Sequence, residues 1–252
     1  MLSIALSATI RVVKIISFFI FVFAMFVGGA VNAQTTAKRM QACTTCHGAG
    51  STATVGRTAN EVYFPRIAGK SAPYLYNQLK NFRDGRRHYG LMVGLVEHQS
   101  DAALLEMAQY FAQLQLPYPE PQTPPAGTPA SVMQRGQQLA LRGDASLGIA
   151  SCASCHGAAL QGSGEYFIPG LLGLPRDYMA GQLGAWQTGM RKAQAPDCMA
   201  AMARKLKPED VSAVAIWLAA QPIVSKPSSA FKNEPIDPMP SRALIATCGG
   251  AP

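Results

Sequence analysis

Apolar residues keep to one helical face at two alike places in the chain. Leu104, Leu105, Ala108 and Phe111 do so over 101–114, and Val211, Val214, Ala215 and Leu218 over 208–219. Pro208 suits a first helical turn, and the acidic Glu209 and Asp210 behind it suit the positive end of a helix. Helices are also predicted over 36–46 and 132–141, and over 72–83 and 176–188. The ordinary reading of these stripes is core packing, and it is adopted here. Strand-forming runs are scarce and Ala, Gln, Leu and Met plentiful, so the fold class is mainly α. Two stretches lack the rhythm. Residues 117–129 hold six prolines in thirteen positions and read as an extended, stiff linker. Residues 222–240 are Pro-rich too and lead into a tail that runs over the surface.

The paired helices belong to a longer repeat. Cys43-Thr44-Thr45-Cys46-His47 returns as Cys152-Ala153-Ser154-Cys155-His156, offset by 109. Pro65 through Gly69 returns as Pro169 through Gly173, and Tyr74, Gln78 and Leu79 return as Tyr178, Gln182 and Leu183, offset by 104. Phe82-x-x-Gly85 returns as Trp186-x-x-Gly189. The closing helices match at 107. Offsets that drift by a few residues with the order kept are what loop insertions produce. The expected organisation is a first domain over 34–116, a linker over 117–130, a second domain over 131–221 and a tail over 222–252.

Residues 1–33 stand apart. Arg11 and Lys14 precede a long apolar stretch that ends in Val31-Asn32-Ala33, with small residues at the positions a signal peptidase reads. This pattern is a secretory signal peptide cut after Ala33. An uncleaved membrane anchor is the alternative, and both place the remainder outside the cytoplasm. The formal net charge of +8 includes Arg11 and Lys14; without them it is +6. The basic residues are scattered, which argues against a nucleic-acid partner. An acidic protein partner or an anionic membrane surface suits the mild positive charge.

Six cysteines carry most of the chemistry. Cys198 and Cys248 stand alone and, in an oxidising compartment, are natural disulfide partners. The other four form two C-x-x-C-H motifs, the signature of covalent haem attachment. Two thiols add across the two vinyl groups of haem, the two-residue spacer lets both reach one edge of the ring, and the adjacent histidine supplies an imidazole to iron. The candidates are Cys43, Cys46 and His47 for one haem c and Cys152, Cys155 and His156 for a second. A zinc site is disfavoured because the two pairs lie in separate repeats. A thiol redox pair is disfavoured because no strand–helix context surrounds either motif.

The sixth iron ligand separates electron transfer from catalysis. The remaining histidines, His88 and His98, both lie in the first repeat and read as surface residues. Methionine is the other common ligand and raises the reduction potential. Met92 lies eight residues before Ser100, and Met199 eight before the matching Lys207. The interval from histidine is 45 in the first repeat and 43 in the second. Met92 and Met199 are therefore the candidates, with Met202 and Cys198 as rivals in the second repeat and His88 in the first. For each methionine the competing role is a core side chain.

These motifs, with Phe64-Pro65-Arg66-Ile67-Ala68-Gly69, Tyr74, Gln78, Leu79 and Met92-x-Gly94, resemble the di-haem class I cytochromes c of the cytochrome c4 group over residues 36–220. The resemblance implies two tandem, mainly helical class I cytochrome c domains related by a pseudo-twofold axis, each with a His/Met haem. It implies electron transfer in the bacterial periplasm or at its membrane, with a dehydrogenase or cytochrome oxidase as redox partner. It further implies that Pro65 and Pro169 offer carbonyls to the ring N–H groups of His47 and His156. Arg66, Arg83, Arg86 and Arg87 are candidates for pairing with haem propionates, against a plain role as surface charge. The second repeat departs from the pattern: Cys198-Met199-Ala200-Ala201-Met202 lacks the glycine that follows Met92 by two. The expected function is an electron carrier. The alternatives are a haem enzyme (a thiosulfate-oxidising cytochrome or a di-haem peroxidase) and a haem subunit of a membrane dehydrogenase complex.

Overall fold

A computed structural model describes residues 36–48, 64–163 and 168–223. The signal-peptide and tail expectations, with Cys248, fall outside these residues. No helix among the described residues is long and apolar enough to cross a membrane. The chain divides into two compact units, 1–43 and 44–252. Of the first, residues 36–43 are described; they begin a helical turn, with the Met40 N–H donating to the Thr36 carbonyl at 3.0 Å.

Among the described residues the first repeat carries the helices α1 Gln41–His47, α2 Ala72–Arg83, α3 Gly90–Val96 and α4 Asp101–Gln113. The second carries α5 Ala130–Leu141, α6 Cys152–His156, α7 Arg176–Thr188, α8 Cys198–Ala203 and α9 Pro208–Ala219. The predicted spans for α2, α7 and α9 are met residue for residue, and those for α4 and α5 within two residues. The short α3 and α8, which bear Met92 and Met199, were not anticipated. Local chemistry explains the starts. The Ser100 hydroxyl accepts from the Ala103 N–H at 3.2 Å ahead of α4. Ser151 does the same for Ser154 at 3.1 Å ahead of α6. Asp197 takes the Ala200 N–H at 3.0 Å ahead of α8 and the Ala193 N–H at 2.6 Å.

The second repeat is built on the crossing of α5 and α9. Gly136 makes that crossing close, because a Cβ there would lie 2.3 Å from the Ala213 carbonyl oxygen and 2.6 Å from the Trp217 Cβ. Leu139, Ala140 and Leu141 of α5 meet Val214, Ala215, Trp217 and Leu218 of α9 in one buried cluster, joined by Leu160, Leu172, Tyr178 and Met179. Arg135 of α5 is held between Asp210 at 2.7 Å and Asp144 at 2.8 Å. In the first repeat α2 packs on α4, with Phe82, Val96 and Leu104 buried together.

Strand structure among the described residues is confined to one short antiparallel pair, β1 Gly162–Ser163 with β2 Ile168–Pro169, in the register Gly162 to Pro169. The stretch after Leu116 is extended, as its prolines require, and it is docked. The Gln122 N–H donates to the Ala219 carbonyl at 2.8 Å, and its side-chain oxygen accepts from the Arg176 N–H at 3.0 Å.

Candidate haem sites

Each attachment motif lies on a short helix that ends at its histidine: Cys43, Cys46 and His47 on α1, and Cys152, Cys155 and His156 on α6. None of the four cysteines is in a disulfide. Cys198 is disulfide-bonded. The other described cysteines are not, so its partner lies outside the described residues, where the expected partner Cys248 also falls. A disulfide sulfur is no thiolate ligand, which removes Cys198 from the rivals of Met199. Burial pushes the Cys152 thiol up to about 12. This is the opposite of the lowered pKa that makes a cysteine a reactive redox thiol.

The two histidines have matching surroundings. The His47 Nδ1 lies 3.0 Å from the Pro65 carbonyl oxygen, and the His156 Nδ1 lies 2.7 Å from that of Pro169. A carbonyl only accepts, so Nδ1 carries the proton in both rings and the lone pair sits on Nε2. Burial lowers the pKa of both rings; the proline carbonyls oppose this without reversing it. Each ring is therefore neutral, with one nitrogen ready for a metal. In the second repeat the β1–β2 pair presents the Pro169 carbonyl. Gly170 beside it has no room for a side chain, since a Cβ would lie 2.6 Å from the Gln161 carbonyl oxygen.

Met92 of α3 packs on the cluster of Phe82, Val96 and Leu104. Met199 of α8 packs on Trp186, Ala200 and Ala203. Phe82 and Trp186 are repeat equivalents at 104, while Met92 with Met199 and Val96 with Ala203 are equivalents at 107. The two methionines thus occupy one place in the repeat. Met202 is half-buried and is not part of that cluster. His88 and His98 are exposed, as surface histidines should be.

The candidate arginines sort sharply. Arg83 and Arg86 are taken by Asp84 at 2.9 and 2.8 Å, and Arg83 also by Asp101. Arg66 donates to the Ala68 carbonyl and, at 2.7 Å, to that of Leu116, and its guanidinium lies 3.8 Å above the Tyr118 ring. Its Nε is buried without a partner among the described residues. Arg87 is different. It is buried beside Arg191, its equivalent at 104, and neither meets an Asp or Glu among the described residues. Arg87 donates to the side-chain oxygens of Gln78 at 3.0 Å and Gln182 at 2.7 Å. Arg191 donates to the same two, Gln182 at 2.8 Å and Gln78 at 2.9 Å. Arg87 lies 4.4 Å over the Phe82 ring and Arg191 3.8 Å over that of Trp186. The backbone repeats the symmetry: the His88 N–H donates to the Met190 carbonyl at 3.0 Å and the Lys192 N–H to the Arg86 carbonyl at 2.6 Å. This is the local pseudo-twofold expected of the repeat. Arg191 was missed in the sequence, although the 104 offset that pairs Gln78 with Gln182 would have found it.

The residues present fit haem c. Two thiols sit beside a neutral histidine in each motif, one methionine per repeat is placed alike, and two buried cations meet no carboxylate among the described residues. When bound, haem c supplies a one-electron iron couple; the chain's own work is to hold the rings neutral and oriented and to keep charge and water under control.

Residues 133–221 match the Cytochrome c family. The thiosulfate dehydrogenase electron acceptor of Thiomonas intermedia (strain K12) is 37% identical over 191 residues, which span 76% of this chain and 83% of that protein. Cytochrome c4 of Pseudomonas aeruginosa is 27% identical over 177 residues, 70% of this chain and 82% of that one. Among solved structures, reduced recombinant cytochrome c4 from Pseudomonas stutzeri superposes with a TM-score of 0.61 at 24% identity, covering 75% of this chain and 97% of that one. With two attachment motifs, paired His environments and these relatives, the chain belongs to the di-haem class I cytochromes c of the cytochrome c4 group and is an electron carrier with two covalently bound haems c.

Proposed function

We propose that this protein is exported to the periplasm and accepts electrons from a thiosulfate dehydrogenase, passing them on to a terminal acceptor. The observation that carries this is the gradient of likeness: 37% identity to a protein named as that enzyme's electron acceptor, against 27% to a cytochrome c4 of similar length. Stoichiometry supports it. Joining two thiosulfates through a new sulfur–sulfur bond releases two electrons, and the chain offers two one-electron centres. In this reading Cys43, Cys46, Cys152 and Cys155 form the thioethers, His47 with Met92 and His156 with Met199 take the two irons, and Pro65 and Pro169 orient the histidines. The domains run over 34–116 and 131–221.

A stopped-flow experiment tests the proposal. Oxidised protein, thiosulfate and a thiosulfate dehydrogenase are mixed, and ferrous haem is followed by its absorption. Both haems should reduce only when all three components are present. Reduction by thiosulfate alone would make the chain an enzyme, and no reduction with the dehydrogenase present would remove it as partner. Amino-terminal sequencing of the mature protein should begin at Gln34 if the leader is cleaved.

A further inference from the structure

Several side chains at the contact of the two repeats are matched pair for pair. Arg87 answers Arg191, Gln78 answers Gln182 and Tyr74 answers Tyr178, all at an offset of 104. At the same offset Lys70 answers Leu174. Leu174 is apolar and buried in its own repeat. Lys70 is half-buried and crosses to the other repeat, where its Nζ donates to the Gly170 carbonyl at 2.8 Å. Gly170 directly follows Pro169, whose carbonyl accepts from His156. The first repeat therefore places a cation one peptide away from the second repeat's histidine, and the second repeat cannot return it.

We propose that Lys70 is a positioning residue for the second haem: it holds the Pro169–Gly170 turn against His156 and raises that haem's reduction potential without touching the first. This rests on His156 being the second haem's ligand. Two effects act in the same direction. A positive charge beside the site favours the reduced iron, which carries one positive charge fewer. The ammonium also draws electron density from the turn, weakens Pro169 as an acceptor and leaves the imidazole a poorer donor to iron. His47 has Arg87 nearby, but Arg87 has a cationic counterpart in Arg191, whereas Lys70 has none. The consequence is directional: an electron shared between two otherwise similar sites settles on the second.

Redox titration of the intact di-haem protein, fitted to two one-electron couples, tests this with Lys70→Met, Lys70→Gln and Lys70→Arg. Lys70→Met should weaken electron binding at one haem by about tenfold, which is about 59 mV for a one-electron couple, and leave the other in place. Lys70→Arg, which keeps charge and donor, should return most of the shift, and Lys70→Gln, which keeps only the donor, should return less. In spectra of ¹⁵N-histidine protein with ring signals assigned to His47 and His156, the His156 ring should move and the His47 ring stay. If both potentials shift equally, if neither shifts, or if the His47 ring moves instead, the proposal is wrong. The ligand reading has its own check in the wild type: both rings must be paramagnetically shifted. A single shifted ring would sink that reading whatever Lys70 does.

Discussion

An iron-binding imidazole must stay neutral and offer one chosen nitrogen. Burial provides the first condition at His47 and His156, and a proline carbonyl provides the second. Neither condition can be read from C-x-x-C-H itself; the roles of Pro65 and Pro169 came from family resemblance, because Pro65 lies eighteen positions beyond His47 and Pro169 thirteen beyond His156. The methionine candidates came from counting, since the closing helix carries its interval with it. Met92→Ala and Met199→Ala should each remove about half of the ferric methionine–iron charge-transfer absorption and lower one midpoint potential, because methionine ligation favours ferrous iron. Met202→Ala should leave the absorption intact. A Met202→Ala protein with half the absorption would move the second ligand by one helical turn.

Among the elements, the long helices were legible because each buries a stripe whose period is helical, as Leu104, Ala108 and Phe111 do in α4. Helices α3 and α8 have seven and six residues, too few for a period to declare itself. What holds α8 is its Asp197 cap and the burial of Ala200 and Ala203 under Trp186, a tertiary effect. The start of α9 shows how one side chain joins elements. Asp210, almost fully buried, accepts from Arg135 of α5 at 2.7 Å and from the Lys207 N–H at 3.3 Å. The Arg135 hydrogen bond is the main reason its carboxyl sits below the ordinary 3.8, against the opposing cost of burial. A carboxyl whose folded pKa is depressed stabilises the fold above its unfolded value, and that stability is lost as pH falls through the folded pKa. Asp210→Asn should therefore cost about 1.5–3 kcal/mol at neutral pH, the range for a charge-assisted bond. It should also flatten the loss of stability below about pH 4. Denaturant unfolding followed by circular dichroism across that window measures both; an unchanged slope would show that another carboxylate governs acid unfolding.

At the scale of the whole molecule, the repeat was written plainly in the offsets, while the contact between its copies was not. Nothing about an isolated Arg87 announces that it will be buried against Arg191, and only the fold reveals two like charges side by side with no acid meeting them among the described residues. Their hydrogen bonds make a specific demand. Each of the Gln78 and Gln182 side-chain oxygens accepts from both arginines. Replacing one arginine by leucine leaves each glutamine oxygen with a donor and relieves the like-charge repulsion, although Arg87→Leu also removes the 2.9 Å bond to the Tyr178 hydroxyl. Replacing both leaves two half-buried acceptors without these donors, and a fully buried polar atom without a partner costs about 1–3 kcal/mol, which is the upper bound here. Arg87→Leu and Arg191→Leu together should therefore destabilise by more than the sum of the single changes, with a coupling of about 0.5–3 kcal/mol. Denaturant midpoints of the holoprotein and its three variants close the cycle. Haem propionates would sharpen the result, since a carboxylate beside the pair turns each single substitution into the loss of an ion pair as well. Single changes that prove as costly as the double change would then point to an anion held jointly by both guanidiniums, and strict additivity would mean that the shared glutamine bonds contribute nothing to holding the repeats together.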